Sequence, residues 1–304
     1  MTGQIGTFLK QVLADTHDVY GTTRNKQAVL PLVYCNLTCY DSVSKVIDWI
    51  QPEEIYNLAG ETNSHNSILY PLETFDINGK AVLILCEKIK TVFDQTGKKI
   101  KLFQAASSEL FKGEKEIIIT PENTHFYPKT PYSIAKLAGY WAARYYREKY
   151  GLPIYIGIIF NTESPLRSEK YITKKVARTL VRQEILTVEN LEARKNWLHA
   201  KDVASAIKLC LHGPPDQYVF STGQTHTVRE LIEISYAILG GEISWIENKG
   251  IDKHTGKTVV ISAQTYRSFD NNEIVIGKDE KLVKLGWKVE YNLETIMRDI
   301  IANL

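Results

Sequence analysis

Short β-rich segments and amphipathic segments alternate along the first half of the chain, and this order most restricts the possible fold. TFLKQVLAD has helical spacing and precedes the strand-like segments HDVYGTTR and LPLVYCNL. SVSKVIDWI predicts a helix, EEIYNLAG a strand, and PLETFDINGKAVLILCEKIKTVF one long helix. KIKLFQAAS and LPIYIGIIF predict further strands. This order predicts an α/β fold with a Rossmann-like, doubly wound parallel sheet.

The sequence changes in character after about residue 160. Polar, loop-like stretches there are interspersed with the predicted helices HAKDVASAIKLCL and TVRELIEISYAILGG. We therefore expect a smaller mixed α/β lobe that exchanges chain with the first domain. The larger domain is predicted to comprise 1–160 plus about 197–220, and the smaller lobe 161–196 plus 221–304. Ligands of open α/β sheets bind beyond the carboxyl ends of the strands, which predicts a cleft between the lobes.

The chain opens on a glycine turn, MTGQIG, with no strand in front of it. Gly3 and Gly6 have the spacing of the last two glycines of a dinucleotide-binding turn, in which a diphosphate lies on a helix N-terminus. The strand that normally precedes such a turn is buried in the middle of the sheet. Two interpretations remain open. Either a strand-coding stretch precedes Met1 in the gene, or the sheet is rearranged around the missing strand.

Composition excludes several classes of partner. The 37 basic and 35 acidic residues give a net charge of +2, so no charge excess points to nucleic acid or to a membrane surface. No apolar run reaches the roughly 18 residues of a membrane span, and no signal peptide is recognisable, so a cytoplasmic location is predicted. The four cysteines form no CxxC pair, and we expect buried free thiols and no metal site.

The segment PYSIAK carries the strongest chemical signal. Tyr132 and Lys136 are four residues apart and project from one face of a predicted helix. A lysine ammonium beside a tyrosine favours the phenolate, so we expect the pKa of Tyr132 to lie below its usual value of about 10. Such a tyrosine can take a proton from a hydroxyl whose carbon gives up a hydride.

A second group follows the predicted strand KIKLFQAAS. Ser107, Ser108 and Glu109 would lie at the carboxyl end of that strand, where a hydroxyl can share a substrate oxygen with Tyr132. Glu109 is a candidate general base. Taken alone, the same residues are equally compatible with a turn that carries a solvated glutamate.

Seven segments together resemble the GDP-mannose 4,6-dehydratase family of extended short-chain dehydrogenases/reductases. They are MTGQIG, EEIYNLAGE, LFQAASSELF, THFYPKTPYSIAKLAGYW, FNTESPLRSEKYITKK, NLEARKNWLHAKD and the HTGKTVVIS…TYRS region. The similarity extends over nearly the whole chain. It implies that the larger domain binds a dinucleotide and that the smaller lobe binds a nucleotide sugar.

The resemblance also implies a mechanism and a product. Tyr132, assisted by Lys136 and Ser107, would deprotonate the C4 hydroxyl of GDP-mannose while NADP takes the C4 hydride. Glu109 would remove the acidified C5 hydrogen as water leaves C6, and the stored hydride would return to C6. The product would be GDP-4-keto-6-deoxymannose, an intermediate on the way to GDP-fucose.

Binding residues are carried over from the resemblance by position. For the cofactor they are Gly3, Gly6, Arg24, Asn36, Leu37, Leu58, Ala59, Gly60, Glu61, Thr62, Tyr132, Lys136 and Arg167. For the nucleotide sugar they are Ser108, Asn161, Glu163, Ser164, Lys175, Lys195 and Arg267. The first predicted strand of the sequence, HDVYGTTR, ends without an acidic residue, which favours NADP over NAD.

Departures from the family pattern leave other functions open. Asn36 replaces an aspartate, Lys195 replaces an arginine, and the segment that in the family reaches a neighbouring subunit is shortened. We expect a homodimer, whereas the shortened segment counts against a tetramer. The alternatives are another nucleotide-sugar epimerase or reductase of this fold, and a non-catalytic remnant that has lost its cofactor.

Overall fold

A computed structural model describes residues 3–111, 116–120, 125–263, 274–278 and 280–304. The helices are α1 (Gln4–Leu13), α2 (Tyr40–Ile50), α3 (Ser64–Leu69), α4 (Pro71–Phe75), α5 (Ala81–Thr96), α6 (Pro131–Tyr150), α7 (Ile172–Val181), α8 (Ala200–Cys210), α9 (Val228–Ile238), α10 (Glu280–Lys284) and α11 (Leu293–Ala302). No helix in this described part of the chain is long and apolar enough to cross a membrane.

The strands are mostly short. They are β1 (Gly21–Thr23), β2 (Leu32–Tyr34), β3 (Glu54–Asn57), β4 (Lys101–Ser107), β5 (Glu116–Ile119), β6 (Ile154–Ile159), β7 (Asn161–Glu163), β8 (Leu186–Val188), β9 (Arg194–Lys195), β10 (Trp197–His199), β11 (Gln217–Phe220), β12 (His226–Thr227), β13 (Ile243–Ile246), β14 (Lys249–Asp252), β15 (Thr258–Ser262) and β16 (Ile274–Gly277).

A parallel sheet in the order β11-β6-β4-β3 forms the centre of the molecule. Every residue of β6 is buried, as expected of a parallel strand that helices cover on both faces. Helix α6 packs on β4 and β6 from one side, while α8 contacts β6 and β11 and packs against α1. The α/β fold class predicted from the alternating segments is therefore confirmed.

Two strands near the start of the chain lie apart from the central sheet. Strands β1 and β2 pair with each other in parallel but form a separate two-stranded sheet. Among the described residues, neither β1 nor β2 pairs with β3. Both interpretations of the chain's opening, a strand-coding stretch before Met1 or a rearranged sheet, therefore stay predictions.

The predicted long helix is continuous but not uniform. A π-helical turn, Asp76–Lys80, separates α4 from α5. Helix α6 packs closely on this turn, since a Cβ atom on Gly139 would meet the backbone oxygen of Asn78 at 2.5 Å. The π-helical turn therefore brings Asn78 against α6 at Gly139. The apolar pattern of the sequence does not predict this contact.

The second lobe has its own hydrophobic core. Its sheet has the order β13-β14-β15-β8, and helices α7, α9 and α11 pack together beside it. Leu282 of α10 and Trp287 pack into the first core, although both fall in the range predicted for the second lobe. The predicted domain boundaries stay a prediction.

The cysteines are free, as expected. Cys35, Cys86 and Cys210 are buried, whereas Cys39 is exposed, so the expectation of burial is wrong for Cys39. Cys39 directly precedes α2, at a helix end where the side chain has no core to enter. No group of three metal-ligating side chains occurs in the ranges that the structure describes.

Candidate active site

The start of helix α6 positions the tyrosine–lysine pair. The Thr130 hydroxyl accepts a hydrogen bond from the Ser133 backbone N–H, and the Ser133 hydroxyl reciprocates at the Thr130 N–H. This capping box, with Pro131 in the first turn, fixes where the helix begins. Tyr132 and Lys136 therefore lie on the first turns of α6, and both are buried.

Tyr132 lies between the end of β4 and the second lobe. Its hydroxyl is hydrogen-bonded to the Ser107 hydroxyl, which also accepts a bond from the Glu109 N–H at 3.2 Å. Burial raises the pKa of Tyr132 to about 12, and the Ser107 bond and the Arg167 charge only partly offset this. The expectation of a lowered pKa is wrong for this structure, because loss of hydration outweighs the nearby positive charge.

Lys136 is bonded to the backbone and not to Tyr132. Its ammonium donates to the Ala105 carbonyl oxygen at 3.1 Å, and the residue is only 6% exposed. Burial lowers its pKa to about 8. The charged form of Lys136 is therefore poorly solvated in this buried position beneath the site.

Strand β4 and the turn after it supply the remaining chemical groups. Ser107 is the last residue of β4, and a 3₁₀ turn over Ser108–Phe111 carries Glu109 away from the sheet. Glu109 lies close enough to Tyr132 for its negative charge to raise the tyrosine's pKa. The hydroxyl, carboxylate, phenol and ammonium predicted from the sequence thus come together at the carboxyl end of the sheet.

One cavity of about 1840 Å³ lies above these groups. Predicted site residues that line it are Gly3, Gly6, Leu37, Leu58, Ala59, Thr62, Ser107, Ser108, Glu109, Tyr132, Lys136, Asn161, Glu163, Arg167 and Lys195. It exceeds the roughly 300–1,000 Å³ of an ordinary small-molecule pocket, and so has room for a large ligand or for two.

Several predicted residues lie elsewhere. Arg24 is exposed after β1 and does not line the cavity. The Asn36 carboxamide accepts bonds from the Thr38 N–H and hydroxyl, which form a turn beside Leu37. The Lys175 ammonium donates to the Thr187 carbonyl at 2.7 Å, away from the cavity. Arg267 lies outside the described residues.

The amino end of α1 faces the cavity and suits a diphosphate. Gly3 precedes the helix in extended conformation, and a Cβ atom there would meet nothing within 4 Å. Gln4 fixes this end of the helix: it donates to the Thr162 carbonyl at 2.7 Å and accepts from the Ser164 hydroxyl at 2.7 Å. Open backbone N–H groups at a helix N-terminus favour phosphate oxygens, so this end fits a nicotinamide dinucleotide.

Gly60 makes room for a polar side chain that the sequence did not single out. A Cβ atom on Gly60 would lie 2.4 Å from the Asn78 side-chain oxygen and 3.4 Å from the Lys136 ammonium. Asn78 is buried, and it donates to the Glu61 carbonyl at 3.0 Å. Among the described residues, its oxygen has no hydrogen-bond partner. The π-helical turn that positions it leaves no simple sequence signature.

The loop after β3 is tied to the second lobe across the cleft. The Glu61 carboxylate accepts from the N–H groups of Thr62 and Asn63 and so shapes the loop. The Thr62 hydroxyl is 2.9 Å from the Tyr171 hydroxyl, and the Arg167 guanidinium lies 3.3 Å from the centre of the Tyr171 ring. Sequence reasoning missed Tyr171, because residues 62 and 171 meet only through the tertiary fold.

On the nucleotide-sugar side, two predicted residues have internal partners. The Glu163 carboxylate is buried, accepts a bond from the Thr173 hydroxyl and lies 3.5 Å from the Arg167 guanidinium. Burial raises the pKa of Glu163. Ser164 is buried and donates to Gln4. Both side chains therefore make contacts within the protein that stabilise the wall of the cleft.

Comparison with known proteins gives one consistent family. The sequence model described as GDP-mannose 4,6 dehydratase matches residues 1–300. A GDP-mannose 4,6-dehydratase from Sinorhizobium fredii (strain HH103) is 32% identical over 334 residues, which cover 100% of this chain and 93% of that protein. The Homo sapiens GDP-mannose 4,6 dehydratase is 33% identical over 334 residues, which cover 99% and 88%.

Solved structures with a similar fold include several epimerases and a dehydratase. RMD from Pseudomonas aeruginosa, complexed with NADPH, has a TM-score of 0.78 at 21% identity and covers 99% of this chain and 96% of its own. The dTDP-glucose 4,6-dehydratase from Bacillus anthracis, in complex with NAD, has a TM-score of 0.79 at 19% identity and covers 99% and 93%. At these identities the likeness concerns the fold.

Proposed function

The chain belongs to the GDP-mannose 4,6-dehydratase family, and we propose that it is a hydro-lyase that converts GDP-mannose to GDP-4-keto-6-deoxymannose with NADP. One observation carries the proposal. Ser107, Glu109, Tyr132 and Lys136 line a single cavity that also contains the amino end of α1. An acid–base pair, a second hydroxyl and a diphosphate site in one cleft are the parts that an internal oxidation and reduction needs.

When bound, NADP would accept the hydride from C4 of the sugar and return a hydride at C6. The backbone of Gly3 and Gly6, together with Leu58 and Ala59 after β3, would hold it along the cavity. Leu37, which lines the cavity, would lie near the adenine, and the Asn36 carboxamide would shape the turn beside it. The GTTR segment has no acidic residue and ends in Arg24, which supports NADP over NAD.

The first chemical step removes the proton of the C4 hydroxyl. The Ser107 hydroxyl would hold the substrate oxygen while Tyr132 takes the proton, since these two hydroxyls are already hydrogen-bonded. The pKa of about 12 must fall for Tyr132 to act as a base near neutral pH. The positive charges of Arg167 and Lys136 would stabilise the phenolate and so lower the pKa of Tyr132. A hydrogen bond with the substrate hydroxyl would replace part of the hydration that burial removes.

The second step eliminates water. A carbonyl at C4 acidifies the C5 hydrogen, which Glu109 would remove as a proton. Glu109 would pass the C5 proton to the departing C6 hydroxyl, which leaves as water. After hydride returns to C6, C5 must regain a proton, and the proton that Tyr132 took from the C4 hydroxyl would balance it.

The substrate would enter from the second lobe. Ser108, Asn161 and Lys195 line the cavity and would contact the nucleotide sugar. Lys195 offers a positive charge for a diphosphate oxygen but lacks the paired donors of an arginine. Because Glu163 and Ser164 have internal partners, they would act by holding the cleft in shape.

A homodimer is part of this proposal. Helices α4, α5 and α6 pack together and leave large apolar side chains exposed, among them Leu72 (78% exposed), Leu83, Trp141 and Tyr145. An exposed apolar patch on a soluble protein commonly marks an interface between subunits. Light scattering should give twice the chain mass of 34.6 kDa, and a monomer at high concentration would contradict the dimer.

The direct test uses the purified chain with NADP⁺ and, separately, GDP-mannose, UDP-glucose and dTDP-glucose. Mass spectrometry should find a product one water lighter from GDP-mannose alone. A product of unchanged mass but altered sugar stereochemistry would instead identify an epimerase. No product from any sugar, together with no binding of NADP⁺ or NAD⁺ in calorimetry, would contradict the proposal and favour a non-catalytic protein.

A further inference from the structure

A buried histidine joins the two hydrophobic cores. His199 is the last residue of β10, directly before α8, and it is fully buried. Its Nε2 atom lies 2.9 Å from a carboxylate oxygen of Asp299 on α11. Leu198, the preceding residue, packs in the first core, whereas Ile296 and Ile300 of α11 pack in the second. The contact between His199 and Asp299 therefore connects the two lobes.

The other ring nitrogen shows which protonation state the structure holds. The Lys201 backbone N–H donates to Nδ1 of His199 at 3.1 Å and so caps the start of α8. Because a backbone N–H can only donate, Nδ1 carries no proton, and the proton of the neutral ring lies on Nε2. Nε2 then donates to Asp299. A second proton, on Nδ1, would face the Lys201 N–H and break the cap.

An aromatic stack holds the segment before α11 on the same ring. The ring centres of His199 and Tyr291 are 4.0 Å apart, with 16° between the ring planes. The Lys201 ammonium, which is 3.1 Å from the Tyr291 hydroxyl, attaches this segment to α8 as well. Tyr291 lies two residues before α11, whereas Asp299 lies near its end. The histidine is thus in contact with both ends of α11.

We propose that His199 forms a pH-sensitive interlobe lock with Asp299, Tyr291 and the Lys201 N–H, closed while its ring is neutral and released when the ring takes a second proton. The lock holds β10 in place, and β10 pairs with β7. Trp197 and Asn161, which are partners in that pairing, both line the cavity. Release would therefore loosen the second-lobe wall of the cleft. The inference does not depend on the proposed reaction.

The groups around the ring favour its neutral form. Burial lowers the pKa of His199 from its usual 6.5, the Asp299 carboxylate opposes this shift, and the Lys201 charge adds to it. From α1 the ring is approached by the uncharged Phe8, at 5.8 Å between ring centres. Glu163 lies opposite His199 in the register of β7 and β10, but other partners occupy its carboxylate. The closed lock therefore resists the second proton.

Asp202, on the first turn of α8, holds the same segment. Its carboxylate oxygens accept from the N–H groups of Glu290 and Tyr291 at 3.2 and 3.1 Å. Burial raises the pKa of Asp202 from 3.8 to about 6, so the folded state binds this proton more readily and acid favours the closed lock here. Asp202 thus acts against release, and a comparison between variants isolates the contribution of His199.

Hydrogen exchange, followed by mass spectrometry over residues 287–302, tests the lock in the full chain. Exchange is measured at pH 7.5 and 5.5 and corrected for the intrinsic pH dependence of amide exchange. A histidine ring exposed by opening, with a pKa of about 6.5, gains most of its proton between these values, which favours opening by about tenfold. Asp202 reduces this net increase. Residues 154–159 of β6 should stay protected at both pH values.

His199→Asn is the matched variant. Its side-chain oxygen can still cap α8, but the shorter side chain loses the contacts with Asp299 and Tyr291. Exchange over residues 287–302 should already be faster at pH 7.5, and its further increase at pH 5.5 should be about tenfold smaller than in the wild type. An equal response to acid in the two chains would overturn the proposal.

Asp202→Asn provides a second measurement, which also serves if His199→Asn does not fold. Its side-chain oxygen can still accept a bond from the segment before α11, but it does not titrate. The increase in exchange at pH 5.5 over residues 287–302 should therefore exceed that of the wild type. No increase in this variant would overturn the proposal. An equal loss of protection in β6 would do so too, because it would indicate general unfolding.

Discussion

Lys136 should lower the stability of the protein at neutral pH. Its pKa falls from 10.5 to about 8 because burial removes water from the ammonium. At about 1.4 kcal/mol for each pH unit, this corresponds to roughly 3 kcal/mol lost from the free energy of unfolding when the lysine is charged. Lys136→Met removes the charge and keeps the side-chain length. The Ala105 carbonyl still accepts from the Gln104 side chain at 3.0 Å, so no buried acceptor is left unpaired.

The size of this effect depends on pH. In the unfolded chain the lysine stays protonated up to about pH 10.5, whereas the folded chain releases the proton above about pH 8. The wild type therefore gains stability as the pH rises through this window, because the unfolded state binds more protons. Lys136→Met has no such gain. We expect the variant to be more stable by about 1–3 kcal/mol at pH 7, with the advantage shrinking toward pH 10.

Urea unfolding of both chains at pH 7, 8.5 and 10 measures this difference. Lys288→Met serves as the control, because Lys288 is exposed and its replacement should change stability by less than about 0.5 kcal/mol. The reasoning is refuted if Lys136→Met is less stable than the wild type at pH 7. A difference that stays constant from pH 7 to pH 10 would refute it as well.

Three further substitutions test the roles assigned to individual side chains. Tyr132→Phe should lower kcat by about 10²–10⁴-fold while NADP⁺ binding in calorimetry stays within twofold, and near-normal turnover would remove the tyrosine from the mechanism. Glu109→Gln should stall after oxidation, with reduced cofactor seen at 340 nm and no dehydrated product; normal product formation would exclude it as the base. Tyr171→Phe loses the hydroxyl contact with Thr62 but keeps the ring on Arg167, so KM should rise severalfold with kcat little changed. An equal fall in kcat would assign Tyr171 to the chemical step.

The segments that the structure confirms are those with a strong local signal. The predicted strand LPIYIGIIF contains β6, and PYSIAK begins a helix with a proline and a capping box. Tyr132 and Lys136 share a helix face because their spacing is four residues. Such features depend on neighbours in the chain, and so the sequence alone could predict them.

The errors arose where distant residues meet. The pKa of Tyr132 was expected to fall because Lys136 is close in sequence, but the ammonium bonds Ala105 and burial dominates. The predicted long helix is present, but nothing in the sequence indicated its π-helical turn, which packs on α6 through Gly139. Local spacing does not report how deeply a side chain is buried or which backbone approaches it.

The sequence by itself determined the fold class, the family and the four chemical groups, because alternating periodicity and short motifs are local properties of the chain. Tertiary structure alone decided that Asn78 and Tyr171 lie at the site, since each reaches it through contacts far apart in sequence. It also decided which strands pair in the central sheet. Among the described residues, β1 and β3 do not pair with each other, since strand pairing depends on which distant backbones meet and not on local spacing.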